Sequence, residues 1–166
     1  MGGVYDGTPA GVSARTGLGK SKVQLAFFTF LLGIRSAEQA ARDPLRGNLY
    51  ENLIIAEIAK GALNRGIRPE LFFFRDTHGS EVDLVLRHGG ALLPVEIKSA
   101  ATFSPSFLKG LEWFRSLGLD RVAPGAVLFN GEERFTIRGT RVFNPLREAN
   151  LWDRLTSLAG EGGEGG

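Results

Sequence analysis

The chain contains no cysteine. That excludes a disulfide scaffold and a thiolate zinc site, and it fits a reducing compartment, so a cytoplasmic location is expected. Net charge is also scarce: 20 Lys and Arg against 18 Asp and Glu leave only +2 over 166 residues. Arginine far outnumbers lysine, which leaves room for phosphate contacts but falls short of a basic nucleic-acid footprint. Long apolar runs are missing as well. The strongest, Leu25 to Ile34 (LAFFTFLLGI), is too short to span a bilayer as a helix. Lys20 and Lys22 precede it as they would in a signal peptide, yet Asp6 lies upstream and no small-x-small cleavage site follows. A buried segment of the fold is the plainer reading, with no membrane partner. Internal repeats are absent too.

What is present describes a soluble globular protein. At 43% hydrophobic and 23% charged residues, the chain is long enough for one domain with a real core. Residues 1–21 are rich in Gly, Ser and Thr without hydrophobic period and are expected to form a flexible leader. Residues 22–158 carry the domain, and residues 159–166 form a flexible, acidic, Gly-rich tail.

Within the domain the pattern is α/β. Lys22 to Ile34 reads as an apolar helix, and Ser36 caps a short second one broken at Asp43-Pro44. Asn48 to Asn64 reads as the longest helix, with Leu49, Leu53, Ile54, Ile58 and Leu63 near a 3.6 period, Glu51 in its first turn and Gly66 as its stop. Strands are expected at Leu71–Arg75, Glu81–Arg87 and Ala91–Ser99, the last two joined by a Gly89-Gly90 hairpin turn. Strict alternation would put Val82, Leu84 and Leu86 on one face and Glu81, Asp83, Val85 and Arg87 on the other. Pro94 is awkward for a central strand and suggests a bulge or an unpaired start. Ser106 to Leu117 follows as an amphipathic helix burying Phe107, Leu111 and Phe114. A short strand at Ala126–Phe129, a hairpin around Gly139 and a helix from Leu146 to Leu158 complete the pattern.

The charged residues on these apolar strands are the chemical signal. Glu96 and Lys98 sit two apart on one strand, so both emerge on one face, and Asp83 lies on the neighbouring strand across a tight hairpin. Two converging carboxylates offer hard oxygen ligands for Mg²⁺ or Mn²⁺. A lysine beside such a metal stabilises developing negative charge or orients a water. Spacing alone leaves two readings open: a metal site for phosphodiester cleavage, or a cross-strand ion pair on a solvated face. Glu51 by itself is read as a surface glutamate. It gains weight as a site residue because it stands within the apolar run Leu49-Tyr50-Glu51-Asn52-Leu53-Ile54-Ile55, where a carboxylate surrounded by core residues needs a partner or a metal. Glu81 is a spare ligand candidate at the rim. Arg75 and Asp76 can pair with each other or with the site. His78 is a weak candidate base because nothing else points at it. Trp113 reads as core and Lys109 as a solvated lysine within reach of a phosphate.

The stretch Ala14 to Lys20-Ser21 satisfies a permissive phosphate-loop pattern, but no hydrophobic strand precedes it and position 14 is Ala instead of Gly. It is rejected as a nucleotide site, and no organic cofactor is expected.

Four motifs in fixed order carry a family resemblance: Leu31-Leu32-Gly33-Ile34; Gly47-Asn48-Leu49-Tyr50-Glu51-Asn52; Phe74-Arg75-Asp76 with Glu81-Val82-Asp83; and Pro94-Val95-Glu96-Ile97-Lys98-Ser99. On these, Lys22 to about Pro145 resembles the C-terminal domain of unknown function found in prokaryotic AAA-type ATP-binding proteins, which is similar to the PD-(D/E)XK nuclease superfamily. The resemblance implies a restriction-endonuclease-like mixed sheet flanked by helices. It would make Asp83 and Glu96 metal ligands, Lys98 the catalytic lysine, and Glu51 the acidic residue of the first helix, a further ligand. Two departures are visible: no ATPase module precedes the domain, and Ala26-Phe27-Phe28-Thr29-Phe30 replaces the D-T-G-like stretch usual before the first motif. The expected function is Mg²⁺- or Mn²⁺-dependent hydrolysis of DNA. The rival is a catalytically inactive DNA-binding or partner-docking module of an AAA-type ATPase system.

Overall fold

The computed structural model describes residues 13–16 and 46–161. The expected helices at 22–34 and from Ser36, and the first family motif at Leu31–Ile34, lie outside them. So does most of the expected leader, 1–21, of which only Ser13–Thr16 is described. Four residues there, β1 (Ser13–Thr16), pair antiparallel with β2 (Glu70–Arg75), Ser13 opposite Arg75 and Thr16 opposite Phe72. The first three residues of the rejected phosphate-loop pattern, Ala14–Thr16, are therefore extended strand.

The fold is α/β, a mixed sheet flanked by helices. The remaining elements are α1 (Arg46–Leu63), β3 (Glu81–His88), β4 (Ala91–Lys98), α2 (Lys109–Ser116), β5 (Ala126–Phe129), β6 (Phe135–Ile137), β7 (Thr140–Phe143) and α3 (Leu151–Glu161). Strand order is β1-β2-β3-β4-β5-β7-β6. The first four strands meander antiparallel, whereas β4–β5 and β5–β7 are parallel. Parallel pairing needs a crossover, and the segment carrying α2 supplies it between β4 and β5.

Each face of the sheet has its own core. Leu84, Leu86, Leu93, Val95, Ile97, Ala126, Leu128 and Phe143 pack against Ile54, Ile58 and Ala62 of α1 and Leu151, Trp152, Leu155 and Leu158 of α3. On the opposite face Phe74, Val82, Val85, Val127, Phe129 and Val142 pack beneath Leu108, Leu111 and Phe114. The α1 stripe differs in detail from expectation: Ile54 and Ile58 are buried, but Ala62 takes the third position and Leu53 and Leu63 face solvent. Because the helix starts at Arg46, Glu51 falls in its second turn, not its first. Gly66, at φ +70°, ends it as expected.

The α2 region also divides. Ser104 caps a 3₁₀ turn, Pro105–Leu108, before α2 begins, and Leu108 replaces Phe107 as its innermost residue. A second 3₁₀ turn, Pro145–Arg147, precedes α3, which then runs to Glu161. Ala159, at the start of the expected tail, is fully buried in the core.

Strict alternation fails in β3. Phe72 opposes Val85 but Phe74 opposes Val82, so β3 holds one residue more than β2 over that span, a β-bulge. The bulge turns Val82 onto the α2 face with Val85, away from Leu84 and Leu86. Pro94 is accommodated without a bulge in its own strand. Leu92 exchanges hydrogen bonds with Arg121 and Ala123 on the β5 side, while regular pairing with β5 starts only at Val95. By alternation the missing N–H of Pro94 falls in that gap, where no ladder bond is forfeited.

Candidate functional site

Pairing between β3 and β4 runs from His88–Ala91 to Leu84–Val95 and stops. Beyond Leu84 a backbone donor on β4 has no strand opposite it, and a buried N–H without an acceptor is costly. The Asp83 side chain fills that role: its Oδ2 accepts the N–H of Ile97 at 2.8 Å. The bulge at this point in β3 is what lets the Asp83 carboxylate turn across to β4.

The same Oδ2 accepts from Lys98 Nζ at 2.9 Å, and Lys98 Nζ lies 2.6 Å from Glu96 Oε2. One ammonium therefore touches both carboxylates. The side chains of Asp83 and Glu96 are only 10% and 6% exposed, against 32% for Lys98. Glu96 faces α2, where a Cβ at Gly110 would overlap Glu96 Oε1 and the carbonyl oxygen of Glu81. Glycine at this position lets the first turn of α2 close over the carboxylate. Neither Gly110 nor the Ile97 N–H stood out in the sequence. The available signal was an isolated glycine within an amphipathic helical period.

This environment shapes protonation. Burial, then the Asp83 charge, pushes Glu96 up to about 8, against the opposing pull of Lys98, and a hydrogen bond with Asp83 adds to the rise. Burial alone would lower the pKa of Lys98, but the attraction of Asp83 and Glu96 outweighs it and holds Lys98 charged well above its ordinary range. At neutral pH the cluster thus combines a firmly charged lysine with a carboxyl group that readily holds a proton.

The other candidates fall around this centre. Glu81 pairs with Arg75 at 3.7 Å with both side chains about half exposed, a rim position. Asp76 organises the β2–β3 turn, its Oδ1 accepting the N–H groups of His78 and Ser80 at 2.8 Å each. His78 is 88% exposed and lies in that turn, apart from the cluster. Trp113 packs on Phe74 as part of the α2-side core. Lys109 is exposed at the start of α2, immediately before Gly110.

Glu51 is half-buried on the stripe that Ile54, Ile58 and Ala62 continue at i+3, i+7 and i+11, so it extends the inward face of α1 by one turn. Among the described residues no group of three or more His, Cys, Asp or Glu is gathered for a metal, so Glu51 does not join Asp83 and Glu96 in a three-carboxylate cluster. Beside it, the Tyr50 hydroxyl is buried without a hydrogen-bond partner, and burial pushes it up to about 12.

The donor set fits a small hard dication. Mg²⁺ is commonly held by one or two carboxylates with water and substrate oxygens completing its shell. Two buried carboxylates that already share one cation meet that requirement.

No helix among the described residues is long and apolar enough to cross a membrane. No curated protein matches the chain. A family model described as a domain of unknown function, DUF4143, matches residues 46–149. That match covers more than half of the 166 residues and contains Glu51, Asp83, Glu96, Lys98 and Gly110. The chain belongs to the DUF4143 family.

Proposed function

We propose that this domain is a divalent-metal-dependent nuclease of the PD-(D/E)XK type that hydrolyses DNA phosphodiester bonds, working with an AAA-type ATPase partner. The carrying observation is the buried pair Asp83 and Glu96 meeting at Lys98 where β3 and β4 part. A solvated ion pair, the competing sequence reading, would not bury both acids under a helix whose Gly110 leaves room for one of them.

In this reading Asp83 and Glu96 hold Mg²⁺ or Mn²⁺. The metal would supply Lewis acidity toward the scissile phosphate and lower the pKa of a water. The Ile97 N–H would keep the Asp83 carboxylate oriented toward the ion. Glu96 would have to be ionised to hold the dication, since a ligating carboxylate must be deprotonated. Lys98 carries its charge throughout and neutralises the charge developing on the phosphate oxygens. Lys109, exposed at the start of α2, would hold a neighbouring phosphate. Glu51 would supply a further oxygen through water.

The test is cleavage of plasmid and oligonucleotide DNA with Mg²⁺ or Mn²⁺. Asp83→Asn and Lys98→Ala should each lose at least about 100-fold in rate, the scale of removing an electrostatic contact to a transition state. Equal activity in all three proteins sinks the proposal. Salt-sensitive DNA binding without metal-dependent cutting in the wild type would establish the docking-module reading in its place.

A further inference from the structure

We propose that the Lys98 ammonium is the resident cation of the Asp83–Glu96 pair, and that a divalent metal reaches the pair only by displacing it. The inference rests on the metal-dependent reading above and concerns how that site is controlled.

Lys98 Nζ lies 2.9 Å from Asp83 Oδ2 and 2.6 Å from Glu96 Oε2. A dication held by the same two carboxylates would compete with the ammonium for the space between them. A dication and an ammonium repel each other strongly in a poorly hydrated site, so the two occupants exclude one another.

Three features make exchange feasible. The ammonium is the exposed member of the trio, with a third of its side chain open to solvent while both acids are nearly covered. It therefore acts as the plug on the solvent side, on a flexible four-carbon stem able to swing outward. Asp83 does not depend on Lys98 for its orientation, since the Ile97 N–H holds the same oxygen at 2.8 Å. Glu96 is fixed from the far side by the close approach of Gly110. When the lysine leaves, both carboxylates stay where they are. The displaced ammonium remains tethered at the end of β4, within reach of whatever anion the metal recruits. Metal uptake and presentation of the lysine to substrate become one event, and without metal the site is held closed by its own lysine.

The experiment is isothermal titration of Mn²⁺ into the full chain without DNA, comparing wild type, Lys98→Met and Lys98→Arg. Lys98→Met keeps the stem and removes the charge, so it should bind Mn²⁺ at least about tenfold more tightly, because the competing charge is gone. Lys98→Arg should bind no more tightly than wild type. Equal or weaker binding by Lys98→Met overturns the inference.

Should Lys98→Met fold poorly, the wild type gives an independent readout through its lysine side-chain NMR signals during Mg²⁺ titration. The Lys98 signal should shift and sharpen while that of Lys60 stays put. Saturable Mg²⁺ binding with an unmoved Lys98 signal overturns the inference. Failure of the nuclease reading is separable: absence of DNA cleavage with tighter Mn²⁺ binding by Lys98→Met removes the reaction and keeps the displacement. Cleavage by wild type with unchanged Mn²⁺ affinity does the reverse. Absence of Mn²⁺ binding in all three proteins overturns both.

Discussion

The two ends of the β3–β4 hairpin are built from opposite materials. At the His88–Ala91 end the strands stay paired through five consecutive positions, joined by Gly89 and Gly90 at positive φ, and Leu86 and Leu93 are completely buried. At the Glu81–Lys98 end the pairing stops, and a carboxylate replaces the missing strand partner. The closed end is stable because its backbone donors find backbone acceptors and its side chains are apolar. The open end has a polar vacancy in the ladder, filled by Asp83, and that vacancy brings two acids and a lysine together. The lesson is that a gap in regular hydrogen bonding, not an acidic sequence as such, makes the site. Surface ion pairs elsewhere, such as Arg147–Glu132 with both partners exposed, lack that origin and the burial that comes with it.

The contrast can be broken most strongly from the closed end. Leu93→Ala removes a fully buried side chain and should cost about 3 kcal/mol of stability, read by urea unfolding, since such truncations leave a cavity. Its Mn²⁺ affinity in the folded state should match wild type. A large loss of affinity would show that the two ends are not independent.

Gly110→Ala attacks the open end through packing. The added methyl overlaps both Glu96 and the Glu81 backbone, so α2 must lift, at a cost of about 2 kcal/mol by the scale of overpacked cores. Unlike Leu93→Ala, it should also weaken Mn²⁺ binding, measured by the same titration.

A pH series sharpens the comparison further. The Glu96 pKa rises on folding from 4.5 to about 8, through burial first and Asp83 second. Between those values the folded protein keeps a proton that the unfolded chain has released, so this group makes stability fall as pH rises from about 4.5 to about 8. Glu96→Gln should flatten that decline in urea midpoints, and an unchanged slope would place the titrating group elsewhere. Lys98 acts in a different window, with its stabilisation fully present below 10.5 and lost only as pH climbs through its raised folded value.

The smallest effect belongs to the exposed pairs. Arg147→Ala should change the urea midpoint by no more than about 0.5 kcal/mol equivalent, because solvent screens both partners.

Periodicity alone located most of the described elements. The β2, β3 and β4 strands, the Gly89-Gly90 turn, the helix ending at Gly66 and the hairpin around Gly139 all stand close to where pattern put them. These signals are local: alternation needs a few residues, and a turn needs two glycines. What pattern missed depended on neighbours distant in sequence. The bulge arises from pairing with β2, so no reading of β3 by itself could have turned Val82 around. Leu63 fitted the helical period yet faces solvent, because Ala62 is the residue that the sheet and α3 leave room for. The role of Gly110 is set by Glu96, which approaches it from another element.

For the site the division is similar. Residue type and spacing were enough to single out Asp83, Glu96 and Lys98, since charges on apolar strands are expensive without partners. They were enough to say that Glu96 and Lys98 share a face, because side-chain direction along a strand repeats every two residues. Folding decided the rest: that the strands part at Leu84–Val95, that Asp83 crosses to the Ile97 N–H, that α2 covers Glu96, and that one ammonium sits on both acids. Those features come from pairing and packing between segments, and the free energy of a buried charge depends on everything around it.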